Sequence, residues 1–183
     1  MEQTVINSAH YTGLLRQFGA DKVQHSGRTL LDHLLGTARY LQEWGNELPL
    51  CLAGLYHSVY GTHDFTVQLI PFSFRADLQR LIGEDAEHLV YLFSAIDRRN
   101  LLCIDHDYPV IKNEFSQEYM VLSQPELSHL IEIELANLLD QAVLISADTS
   151  LSQTISHYRE FMVPHASKQA QAAVLKILRD LES

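Results

Sequence analysis

Residues 25–45 read HSGRTLLDHLLGTARYLQEWG and residues 49–62 read PLCLAGLYHSVYGT, and the fold turns on how these two stretches are paired. In the first, Leu31, Leu34, Leu35, Ala38 and Leu41 recur at helical spacing and form an apolar stripe. Thr29 with Asp32 forms a capping box at its start, and Gly45 closes it. His33 falls on the flank of the stripe, on the side of Thr37 and Trp44. The second stretch begins at Pro49, a residue favoured in a first helical turn, and runs to Gly61 apolar almost all round, as a central buried helix does. His57 interrupts that run. A buried imidazole needs a partner, so the two histidines are either a metal site or a pair satisfied by hydrogen bonds.

Helical periodicity extends outward from this pair. Ser8 opens a helix over AHYTGLLRQF that ends at Gly19. RADLQRLIG and EDAEHLVYLFSAID are two helices parted by Gly83, the second burying Ala86, Leu89, Val90 and Phe93. Residues from Arg98 to about Val121 have no clear period, and DHDYP in that stretch reads as a loop. Pro125 opens the longest helix, striped by Leu127, Leu130, Ile131, Leu135, Leu138 and Ala142. A segment from Ser150 to Met162 stops at Pro164, and SKQAQAAVLKILRDLE is an amphipathic terminal helix. The expectation is a single all-α domain over 1–183, a compact bundle of about seven helices.

Composition narrows the function classes. The chain has 183 residues, 46% of them hydrophobic and 20% charged, and a net charge of -10 with no Lys/Arg cluster to offset it. Such a surface repels phosphate backbones and anionic bilayers, so neither nucleic acid nor membrane is an expected partner; small molecules or proteins are. Cys51 and Cys103 lack metal-site spacing and read as free thiols in apolar surroundings. No secretory leader and no long apolar run is visible, which predicts a cytoplasmic protein.

Motif order adds a resemblance. A helix-borne His followed by a second on the next buried helix is similar to the opening of the HD-domain superfamily, closest to the RelA/SpoT-type hydrolase domain. Ser26-Gly27 precedes His33 as an S-G precedes that family's first ligand. LAGLYHSVYGT resembles A-x-L-L-H-D-x-x-E-D-T, LIGEDAEHLVYLFSAID stands in the place of F-G-x-x-V-A-x-L-V, and IELANLLDQ resembles I-K-L-A-D-R-x-H-N. The likeness covers about residues 10–145, with the helices of 150–183 packed on it. It implies an HD-like bundle holding a divalent transition metal (zinc, iron or manganese) on His33 and His57; the residues themselves offer His25, if its turn folds back over the helices, and Asp140, one turn beyond Asn137, as further ligands. Arg28, Ser58, Asn137 and Tyr60 would then contact the substrate, and His63 and Asp64 would lie at the pocket mouth.

The chain departs from the pattern where charge is needed. Ser58 stands in place of the Asp that follows the second His, Asn137 in place of the last ligand Asp, and Gly61-Thr62 in place of the acidic pair. Neutral oxygens hold hard cations weakly, and the group that activates water in the family is gone. Three functions follow: a divergent metal-dependent enzyme acting on a small anionic metabolite, a non-catalytic module binding a metabolite or protein, and an HD-type iron oxygenase. The last would recruit further ligands from His63, His88 and His106. Incubation with guanosine tetraphosphate and manganese should give no hydrolysis; turnover lost in His57→Ala would show that the missing carboxylates matter less than their charge suggests.

Overall fold

The computed structural model describes residues 6, 8–102, 104–105, 107–142 and 162–181. Cys103, His106 and the segment 150–161 lie outside the described residues. Seven α-helices are described: α1 (Ala9–Gln17), α2 (Leu30–Glu43), α3 (Leu48–Tyr56), α4 (Arg75–Ile82), α5 (Glu84–Ala95), α6 (Gln124–Ala142) and α7 (Lys168–Leu181). The helix α3 lies at the centre. All seven residues from Leu50 to Tyr56 are buried, and α3 packs between α2 and α5, with α6 against α2 on the other side. An apolar helix is stable in water only when neighbours cover it all round, and this sequence has no polar face to turn outward.

The capping box forms as the spacing requires. Thr29 Oγ1 accepts from the Asp32 backbone N–H and donates to Asp32 Oδ2 at 2.6 Å, which satisfies one of the free amides of the first turn of α2. A second box, absent from the sequence reading, starts α6: the Ser123 N–H donates to Glu126 Oε2 at 2.7 Å, while the Glu126 N–H donates to Ser123 Oγ. Gly83 joins α4 to α5 without a linker.

Two features differ from the expected bundle. The helix α3 ends at Tyr56, before His57, rather than at Gly61. Its last turn tightens because His57 Nδ1 donates to Gly54 O at 2.7 Å and the Val59 N–H donates to Tyr56 O, so carbonyls that would continue the helix are already paired. The fold is also mostly helical rather than purely so. Two antiparallel ribbons are present, β1 (Gln24–His25) with β2 (Arg28–Thr29), and β3 (Val110–Lys112) with β4 (Tyr119–Val121). The second ribbon occupies the aperiodic stretch. Its strands are three residues long, too short for alternation to stand out.

The ribbon β1–β2 turns through Ser26 and Gly27, both in the left-handed region with φ of 48° and 81°. A two-residue turn that matches the twist of its strands needs positive φ at both central positions. This fold therefore lays His25 against α2.

Where α2 crosses α6, the approach is close. Gly36 is buried opposite Asp140, and a Cβ there would collide with the Asp140 carboxylate. Asp140 is itself fixed by two partners, so it cannot swing aside freely. Gly36→Ala should therefore cost about 1–3 kcal/mol, the usual range for overpacking. Urea unfolding measures this directly, and wild-type stability in the variant would show that the two helices part easily.

Candidate functional site

Helices α2, α5 and α6, the turn after α3, the β1–β2 ribbon and the turn after α5 enclose a cavity of about 490 Å³. Its polar lining includes His25, His33, His57, Ser58, Arg98 and Glu134, and its apolar wall is Phe65, Phe93 and Leu138. At its floor, His33 Nε2 and His57 Nε2 stand 3.3 Å apart, with the ring planes nearly perpendicular. Both imidazoles are buried.

What each ring does at its other nitrogen decides its chemistry. His57 Nδ1 lies 2.7 Å from Gly54 O, a carbonyl that can only accept, so this nitrogen carries hydrogen. His33 Nδ1 lies 2.7 Å from Asp140 Oδ2, and an ionised carboxylate likewise only accepts. As neutral rings, both must therefore present lone pairs at Nε2. Two lone pairs facing at 3.3 Å repel unless a proton or a cation lies between them.

Charge favours the neutral forms. Burial lowers the His33 pKa, and the neighbouring His57 and His25 rings and Arg28 push the same way. Burial likewise takes His57 down to about 3, outweighing its hydrogen bond to Gly54. Asp140 would favour a charged His33, but Arg28 forms an ion pair with the same carboxylate and neutralises it. His25 is also lowered, by burial and by Arg28.

The expected site residues divide into three groups. His25, His33, His57, Ser58 and Asn137 line the cavity. Asp140 and Arg28 stand behind it: Asp140 holds the rear nitrogen of His33, and Arg28 holds Asp140. Asp140 therefore orients a ring rather than facing the cavity, and Arg28 is committed to that carboxylate rather than open to an anion. Tyr60 faces a neighbouring cavity of about 260 Å³ and donates to the buried Glu87 at 2.8 Å. His63 lies there too and pairs with Arg99 at 2.6 Å, whereas Asp64 does line the histidine cavity. His88 is half-exposed and pairs with Glu126. Neither of these histidines joins the central pair.

Among the lining residues that were not anticipated, Arg98, Glu134 and Gln141 form a connected polar line. Arg98 is buried, with Nε donating to Glu134 Oε2 at 2.8 Å and Nη2 to Asp64 Oδ2 at 3.2 Å. Its guanidinium lies over the Phe93 ring, 4.7 Å from the centroid. Glu134 also accepts from Asn137 Nδ2, and Gln141 Nε2 donates to Asn137 Oδ1. Burial raises the Glu134 pKa against the opposing pull of Arg98 and Asn137. A signal for this line existed: Glu134, Asn137 and Gln141 fall at i, i+3 and i+7, a polar stripe on a helix otherwise buried.

The geometry fits a nitrogen-preferring ion better than a hard one. Two nitrogens each about 2.0–2.1 Å from a tetrahedral ion stand about 3.3–3.4 Å apart. Metal-bound histidines commonly donate their rear N–H to a carboxylate or a backbone carbonyl, as His33 and His57 do. Among the described residues, however, no group of three His, Cys, Asp or Glu side chains converges on one point. The pair stands without a third protein ligand there.

Comparison with known proteins adds a family likeness. Residues 14–98, a little under half of the chain, match the family model described as "Domain of unknown function (DUF6817)". The match takes in His25, His33, His57, Ser58 and Arg98 but stops short of α6. No curated protein and no solved structure matches the chain. No helix among the described residues is long and apolar enough to cross a membrane.

The buried imidazoles set a pH dependence. Their folded-state pKa values lie below the ordinary 6.5, so as pH falls the unfolded chain binds protons first. Stability is then full above about 6.5 and declines toward about 3, by up to about 1.4 kcal/mol per pH unit for each ring. Denaturant titrations between pH 7 and 4 should show this slope, and His57→Gln should make it shallower. An unchanged slope would place the acid-labile group elsewhere.

Proposed function

We propose that the protein is a divergent HD-type, metal-dependent enzyme acting on a small anionic metabolite in the histidine cavity. The observation that carries this reading is the facing pair of Nε2 atoms, each made a lone-pair donor by the hydrogen bond at its rear nitrogen. His33 and His57 would hold the ion, with zinc or iron preferred over manganese because both donors are neutral nitrogen. Such an ion supplies Lewis acidity and lowers the pKa of bound water.

The rest of the site is explained by this chain's own residues. Asp140 fixes the His33 tautomer, Arg28 prevents that carboxylate from drawing the proton onto the ring, and Arg98 places positive charge where an anionic substrate enters. Phe65, Phe93 and Leu138 exclude water from part of the wall.

A second reading rests on the lack of a third ligand among the described residues. If the pair holds no metal, the protein is a non-catalytic binding module. Titration with cobalt(II) or zinc separates the two. The enzyme reading expects one equivalent bound, ligand-field bands with cobalt, and loss of both in His33→Ala and in His57→Ala. No binding in the wild type, or binding unchanged in both variants, would leave the non-catalytic module.

A further inference from the structure

Three polar side-chain atoms in the wall of the histidine cavity are buried and have no hydrogen-bond partner: Ser58 Oγ, Arg98 Nη1 and His25 Nε2. They come from separate parts of the chain, the turn after α3, the turn after α5 and the β1–β2 ribbon. Burying a polar group without a partner is costly, so three around one cavity are a feature that a ligand would relieve. Ser58 is 4% exposed and the Arg98 side chain 8%.

From these atoms we infer that the cavity recognises a small monocarboxylate with a short apolar body, its carboxylate held by Arg98 and Ser58. The inference deepens the proposed function and rests on its reading of this cavity as a ligand site.

The guanidinium explains the head group. Arg98 uses Nε on Glu134 and one Nη2 hydrogen on Asp64, which leaves the end formed by Nη1 and Nη2 open. That end is a planar fork whose two parallel N–H bonds match the two oxygens of a carboxylate. The Phe93 face holds the guanidinium plane, so the fork is oriented before a ligand arrives. Ser58 Oγ supplies a further donor, and His25 Nε2 a polar neighbour on the ribbon side.

Charge selects a monoanion over a dianion. The acidic and basic side chains in the described lining are equal in number, Arg98 and Arg99 against Glu134 and Asp64. The Asp64 side chain is 57% exposed, so solvent screens it and Arg98 retains part of its field for one added negative charge. A dianionic phosphate would set a second charge beside buried Glu134, where Arg99, the other cation in the described lining, is already paired with Asp97. The apolar part of the lining, Phe65, Phe93 and Leu138, suits carbon and offers no donor for another charged end.

The test uses metal-free protein, with acetate, butanoate and inorganic phosphate titrated at constant ionic strength and followed by NMR chemical shifts. Butanoate should bind saturably, more tightly than acetate because of the apolar wall, and phosphate more weakly than either. Ser58→Ala and Arg98→Met should each weaken butanoate at least tenfold. Since Arg98→Met leaves Glu134 without its partner, the double variant Arg98→Met/Glu134→Gln serves where the single one does not fold, and Ser58→Ala decides alone if neither does. Any other order of affinities, no saturable binding, or butanoate affinity unchanged by the substitutions would overturn the assignment. Zinc titration of the same variants reports on the histidine pair alone. Zinc retained with carboxylate binding absent would refute the carboxylate site and leave the metal reading intact.

Discussion

The hydrogen bond from His33 Nδ1 to Asp140 is the constraint on which the centre of this molecule depends. It joins α2 to α6 across the core, and it is possible only because Gly36 lets the two helices come close. Arg28 then pairs with the same carboxylate, ties the β1–β2 ribbon to α6, and spares the core an unpaired anion. Removing either partner would leave a charge stranded in a region from which water is excluded, and that is among the costliest changes a core can suffer. Packing, polarity and tautomer are thus set by one contact. The direction in which His33 presents its lone pair is a consequence of how two helices cross.

Much of this was legible in the sequence. The apolar stripe of α2 and the apolar run of α3 fixed two adjacent helices, and a histidine on each implied that the rings meet. The β3–β4 ribbon was not legible, since three-residue strands such as Val110–Lys112 carry too little pattern to stand out from a loop. The end of α3 was missed for another reason. Helical periodicity continues through His57 to Tyr60, and the bonds of His57 Nδ1 back to Gly54 and of the Val59 N–H to Tyr56 stop the helix.

The roles of the polar residues were harder to assign than their positions. Asp140 is one turn beyond Asn137, and sequence spacing alone cannot tell a carboxylate in front of a ring from one behind it. The resemblance drew attention to Ser58 and Asn137 as replacements for missing anions. The structure adds the charge that now dominates the wall, the ion pair of Arg98 with Glu134. A chain that lacks the acidic residues of the HD pattern thus carries paired charges in its cavity, Arg98 with Glu134 and Asp64.

His33 and Asp140 are 107 residues apart in the chain. Closing a loop of that length carries an entropic cost that must be met before the contact can form, and contacts of this kind appear late as a chain folds. The segment from α1 to α5 can gather the two imidazoles, yet neither the tautomer of His33 nor the partner of Arg98 exists until α6 docks. During synthesis the first half of the protein therefore emerges with its histidines placed but uncommitted. The pair reaches its described geometry only when α6 is in position, which makes the completed site a reporter of the finished fold.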